Sequence, residues 1–197
     1  MDKEAKTKGR RMGPAGSANW HAMLDGAEHI LREQGYAFLT SRAVAEQIGV
    51  KQRLVYYYFQ TMDALIVEAF SRLAERELER LQAASRSERP LREVWDLCVH
   101  STDARLITEF MALANRLPGL RVQVIDYIEE ARRLQVKALQ ASLKRSGVVP
   151  AIAPVGLVLL ATSAALLLNR EAELGIPTGH AELASAIESF LAQAEPA

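Results

Sequence analysis

The chain has 197 residues, 49% hydrophobic and 24% charged, and its 24 Lys/Arg balance 24 Asp/Glu. Such a composition describes a soluble globular chain with room for one large domain or two small ones, and it excludes a protein that holds nucleic acid by bulk charge alone. Cys98 is the sole cysteine, which excludes an intramolecular disulfide and a cysteine zinc cluster and suits a reducing cytoplasm.

Residues 1–17 are charged, aperiodic and glycine-containing, and predict a flexible basic arm. The first twelve carry Lys3, Lys6, Lys8, Arg10 and Arg11 against Asp2 and Glu4, without the apolar run of a secretory signal. From Asn19 onward, Met23, Ala27, Ile30 and Leu31 recur at helical spacing until Gly35. Thr40 is a good N-cap for a second, short helix with Val44 and Ile48 on one face. Gly49 supplies a sharp turn, and Lys51 to Phe59 form a third helix with Val55 and Phe59 on its buried side. Residues 62–84 form a long helix carrying Leu65, Ala69, Leu73 and Leu78, increasingly charged from Glu75, as if leaving the core. A polar loop follows to Pro90. Helices are then expected near 91–101, 103–116, 119–146, 152–170 and 180–194, punctuated by Pro118-Gly119, Gly147 to Pro150 and Gly175 to Gly179. No segment alternates with period two. The predicted fold is all-α, with an arm over 1–17, a three-helix domain over 18–61 and a helical domain over 62–197.

Two short helices joined by Gly49-Val50 form a helix-turn-helix, whose second element enters the DNA major groove. Three consecutive tyrosines, Tyr56 to Tyr58, cannot share one helix face, so at least one is exposed. The stretch LTSRAVAEQIGVKQRLVYYYF, Leu39 to Phe59, resembles the DNA-binding signature of TetR-family regulators. Gly35-Tyr36 before it and Asp63-Ala64-Leu65 after it fit as well, so the resemblance spans Trp20 to Phe70. It implies that Thr40 caps the second helix and reaches a phosphate, with Ser41 and Arg42 beside it at the DNA. It implies that Lys51, Gln52 and Arg53 face base edges, where Arg and Lys suit guanine and Gln suits adenine. Tyr56 and Tyr57 match phosphate-contacting positions. The sequence departs from the family pattern at four places. Lys51 stands where a small capping residue is expected and Arg53 where a small residue is common. Gln60 replaces a proline, and Met62 replaces a phosphate-contacting lysine.

The region 152–170 is apolar nearly all round, which requires burial on more than one side. At 151–168 the apolar run is short for a membrane span and contains Pro154 and Gly156, so no membrane partner is expected. The resemblance implies a homodimer through helices 152–170 and 180–194, the latter with Leu183, Ile187, Phe190 and Leu191, placing two recognition helices on a palindromic operator of double-stranded DNA. Trp95, Cys98, Val99, Phe110, Met111, Tyr127 and Ile128, with Thr102 and Asn115 as polar contacts, predict a pocket for a small lipophilic effector. The expected function is a cytoplasmic repressor released by that ligand. An activator of the same fold, or a helical interaction protein that has lost operator binding, remain alternatives. No catalytic residues, metal ligands or cofactors are expected. The four histidines are scattered, Glu129-Glu130 is a charged helix face, and His100 and Asp103, three apart, could share a helix face and read as a solvated or satisfied pair.

Overall fold

The computed structural model describes residues 13–101 and 103–196. Among them lie nine α-helices: α1 (Ala18–Gln34), α2 (Ser41–Gln47), α3 (Gln52–Tyr58), α4 (Met62–Ala84), α5 (Pro90–Val99), α6 (Ala104–Ala114), α7 (Pro118–Ser146), α8 (Pro154–Leu174) and α9 (His180–Ala194). A short 3-10 turn, Tyr36–Phe38, precedes α2. The chain divides into two compact units between Ala69 and Phe70, within α4.

In the first unit, hydroxyl side chains cap the starts of α1, α2 and α4. Ser17 caps α1 through Trp20 N at 3.3 Å, Thr40 caps α2 through Ala43 N at 3.1 Å, and Thr61 accepts from Ala64 N at 3.0 Å. Gly49 adopts φ +69°, a left-handed conformation costly for any residue with a Cβ. Val50 N then reaches back to Ala45 O at 2.9 Å and closes the turn between α2 and α3. Met23, Leu24, Ile30, Leu31, Val44, Val55 and Phe59 bury the facing stripes.

Residues 1–12 of the predicted arm lie outside the described residues. The remainder is not a loose tail. Gly13 is buried, and its N–H donates to Tyr57 O at 2.9 Å. A Cβ there would sit 2.5 Å from the Tyr58 ring, so only glycine fits.

In the second unit, α8 packs on α5 and α7, and α6 packs on α7. Phe70, Phe110 and Tyr127 meet edge to face, with centroids 5.3 and 5.8 Å from Phe70. The helix over 154–174 is not broken by Pro154, which occupies its first turn, or by Gly156. Proline is tolerated there because its missing N–H has no intrahelical partner.

The charged end of α4 does not leave the core. Glu77 continues the Leu73–Leu81 stripe at 6% exposure. Arg80 holds it at 2.6 Å, and Arg76 and Arg80 both approach Asp103 at 3.4 Å. A carboxylate survives at a core position only because cations on the same helix neutralise it. Asp103 is thereby engaged with α4, whereas His100 pairs with Asp96 at 2.8 Å. The two residues expected to share a pair therefore have different partners.

Candidate nucleic-acid interface and ligand cavities

The outward side of α3 carries Lys51, Gln52, Arg53, Tyr56 and Tyr57, all exposed, while Tyr58 turns inward with Val55. Lys51 is the N-cap residue of α3 and makes no side-chain capping bond. Arg42 and Glu46 pair at 2.8 Å on the surface of α2. So exposed a pair is worth little, and Arg42 can exchange Glu46 for a phosphate at small cost.

Ser41 differs from its neighbours. It is 5% exposed and ties α2 to α3. Its Oγ donates to Tyr56 Oη at 3.0 Å and accepts from Gln52 Nε2 at 2.9 Å. Ser41 therefore lies behind the contact surface rather than on it, because its hydroxyl is committed to two residues that do face out.

Lys51→Ser is expected to move stability and DNA affinity in opposite directions. A serine at this N-cap can accept from the first-turn N–H groups and stabilises the domain by about 1 kcal/mol. The lost cation lowers the salt slope of DNA binding by about one unit if it meets a phosphate. Denaturation followed at Trp20 in a Trp95→Phe background, beside a salt titration of binding, measures both. Gains in both would remove Lys51 from the interface.

The second unit holds two adjoining cavities. One, of about 330 Å³, lies among α5, α7, α8 and α9, with Trp95, Leu139, Leu157 and Phe190 in its almost wholly apolar wall. The other, of about 280 Å³, is reached by Glu77, Met111, Tyr127, Ile128 and Asn169. Cys98, Gln135 and Thr162 line both, so they form the partition. Gln135 Nε2 lies 3.6 Å from Cys98 Sγ, and Asn169 Nδ2 donates to Cys98 O at 3.0 Å.

Of the predicted ligand contacts, Trp95, Cys98, Met111, Tyr127 and Ile128 line a cavity. Phe110 does not; it is fully buried against Phe70. Asn115 is the exposed C-cap of α6, and Val99 lines neither cavity. Thr102 lies outside the described residues. Glu77, Gln135, Thr162 and Asn169 were not anticipated. Their signal was a polar side chain on an otherwise apolar helical stripe.

Burial pushes the Glu77 carboxyl above the usual carboxylate range against the opposing pull of Arg80, and burial likewise raises the Tyr127 phenol. Burial also pushes the Cys98 thiol up to about 11, with the Gln135 hydrogen bond opposing. The thiolate is the reactive form, and each pKa unit is a tenfold change in its population. Cys98 is therefore expected to alkylate at pH 8 about a hundredfold more slowly than a solvent-exposed cysteine, and at the ordinary rate in denaturant. Ordinary reactivity in the native protein would displace Cys98 from the cavity wall.

The pair of short helices joined by the Gly49 turn, with a basic and tyrosine-bearing outer face, defines a DNA-binding regulator of the helix-turn-helix class. Residues 23–69 match the family described as bacterial regulatory proteins, tetR family. Residues 23–69 thus carry a DNA-binding domain of the TetR type, and the helices beyond it match solved TetR-type regulators in fold. A TetR transcription regulator from Haloarcula marismortui superposes with a TM-score of 0.69 at 20% identity, covering 88% of this chain and 96% of its own. The reduced form of E. coli NemR gives a TM-score of 0.69 at 15% identity over 79% and 87%. A SmeT–triclosan complex gives 0.61 at 18% identity over 80% and 81%. No curated protein matches in sequence.

Proposed function

We propose that the protein is a homodimeric repressor that binds a palindromic operator through α3 and releases it when a small lipophilic molecule occupies the cavities of the second unit. The observation that carries the ligand half is the wall of the 280 Å³ cavity, which includes Glu77 and Leu81 of α4. That same helix begins in the DNA-binding unit, at Met62. A ligand that favours one disposition of α4 shifts the population of DNA-competent dimers, provided it binds the two states unequally. The apolar walls suit an uncharged aromatic or aliphatic body, and the SmeT complex makes triclosan a reasonable first probe.

The dimer half rests on α8. Val155, Leu159, Leu160, Leu166, Leu167 and Leu174 are exposed in the single chain, while Val158, Ala165 and Leu168 face its own core. The predicted part of α9 in this interface changes in detail. Ile187, Phe190 and Leu191 turn into the core of their own unit with Leu91 and Leu139, and α9 leaves Ala181, Ala184 and Ser185 outward. Small residues allow close approach of a second helix.

The test has two readings on one sample. Operator DNA is selected from random sequence, and its anisotropy is followed as triclosan and other lipophilic probes are added. Protection of Cys98 from alkylation reports cavity occupancy independently. Selection of an inverted repeat, released by a probe that also protects Cys98, supports the proposal. A probe that protects Cys98 yet leaves operator affinity unchanged overturns ligand release.

A further inference from the structure

We infer that Ser41 couples the backbone contact of Tyr56 to the base contact of Gln52, and thereby sets the recognised base to one that offers an exocyclic amino group, adenine or cytosine. The inference rests on the reading that α3 enters the major groove.

Proton counting along three side chains carries it. Gln52 and Tyr56 are one turn apart on α3, so they share a face. Ser41, the first residue of α2, bridges them from behind at 2.9 and 3.0 Å. A hydroxyl has one proton to give and two lone pairs to accept with. When Tyr56 donates its proton to a phosphate oxygen, the Tyr56 oxygen can only accept from within the protein. Ser41 then donates its single proton to Tyr56, as the structure has it. The Ser41 oxygen is left as an acceptor, so Gln52 must meet it with Nε2 and not Oε1. Amide orientation follows from such a network.

Gln52 Oε1 is consequently the group left to face the groove. Adenine N6 and cytosine N4 are donors there, while guanine O6 and N7 are both acceptors. An outward carbonyl therefore accepts from adenine or cytosine and opposes guanine O6. Adenine adds N7 as an acceptor for the remaining Nε2 proton. Ser41 is thus a positioning residue. It touches no DNA, yet it makes a sequence-neutral phosphate contact select the polarity of a base reader. Without the Tyr56 oxygen, the Ser41 proton is free to turn to Gln52 Oε1, the amide rotates, and guanine becomes acceptable.

Selection from random DNA with the full-length protein tests this in four versions: wild type, Gln52→Ala, Ser41→Ala and Tyr56→Phe. Gln52→Ala locates the base pair read by residue 52 as the one whose preference vanishes. The wild type is expected to select adenine or cytosine there. Ser41→Ala and Tyr56→Phe are each expected to lower that preference about tenfold and admit guanine, with preferences elsewhere in the half-site unchanged. Tyr56 and Gln52 are surface residues, so the outcome does not depend on tolerance of the buried Ser41 change. A uniform loss of affinity from Tyr56→Phe with every base preference retained would overturn the coupling, as would guanine at the Gln52 position in the wild type. Failure of the wild type to select any sequence would instead overturn the operator-binding reading beneath it.

Discussion

A Leu160→Glu, Leu167→Glu double variant is expected to remain folded, to run as a monomer, and to bind the operator about 10² to 10⁴-fold more weakly. Leu160, Leu167 and Leu174 stand seven residues apart on α8, at 62%, 52% and 59% exposure. Residues at that spacing line one side of a helix. Burying a leucine stabilises by about 2 kcal/mol, so an interface repeating this stripe on two copies holds a dimer comfortably. In a two-fold interface each substitution occurs twice, and the variant brings four carboxylates to a desolvated seam. In the separate chain both positions are more than half exposed, Leu160 at the edge of the 330 Å³ cavity, and substitutions at such positions usually cost little. Binding then falls because one recognition helix must act without its mate. Light scattering and operator anisotropy read the two effects separately. A variant that stays dimeric would place the interface elsewhere.

The same helix is the one among the described residues that is long and apolar enough to cross a membrane, with mean hydropathy 1.4 over its apolar window. Length and composition alone cannot separate a membrane helix from an interface helix. Its packing supports the interface reading: Val158, Ala165 and Leu168 engage the core of the second unit, and Asn169 holds the Cys98 carbonyl. Vesicle flotation of the wild type is expected to be negative, and association with neutral lipid would assign α8 to a bilayer.

The elements most legible in the sequence are those with chemistry at both ends. Thr40 and Gly49 bracket α2 because a capping hydroxyl and a left-handed glycine each have one plain use. The range 62–84 emerges from periodicity alone and agrees with α4. Less legible is where a stripe points once several partners compete for it. Phe110 and Tyr127 are both aromatic residues on inward faces, yet one fills the core and the other borders a cavity. Both meet Phe70, and the difference lies in their other neighbours: Phe110 is fully enclosed, whereas Tyr127 shares a cavity wall with Glu77 and Asn169, distant from it in sequence. Glu77 looked like the start of a solvated face because charge usually marks solvent. Its burial depends on Arg80 and on the neighbouring Asp103–Arg76 pair, which no local window contains. The place of Ser41 beside Thr40 predicts a residue at the DNA surface. Only the fold reveals that its hydroxyl is already spent on α3.

Glu195→Ala is expected to destabilise the second unit by about 3 kcal/mol, more than any single surface ion pair of this chain could contribute. Arg89 precedes α5 without providing a side-chain cap, so the first turn of that helix needs acceptors from elsewhere. Glu195, buried at the end of α9, supplies them. Its carboxylate accepts from Leu91 N at 2.9 Å and Arg92 N at 3.2 Å, and also from Ser142 Oγ of α7 at 2.9 Å. Three helices thus meet on one anion at a helix N-terminus, where the helix dipole favours negative charge. Alanine leaves those donors without partners in a dry setting, which costs more than the bonds contributed. Glu195→Gln retains one carbonyl acceptor but turns an N–H toward a donor, and its loss should be about half as large. The nearby Arg92–Glu188 pair, bidentate at 2.8 and 2.7 Å, offers the internal comparison. Glu188 is exposed, so Glu188→Ala should cost far less than Glu195→Ala. Thermal unfolding of the three variants gives the ranking directly. Equal losses for Glu195→Ala and Glu188→Ala would show that the remote cap carries no more than a surface charge does. The expected order places the stability of the cavity-lining helices in a carboxylate two residues from the end of the sequence.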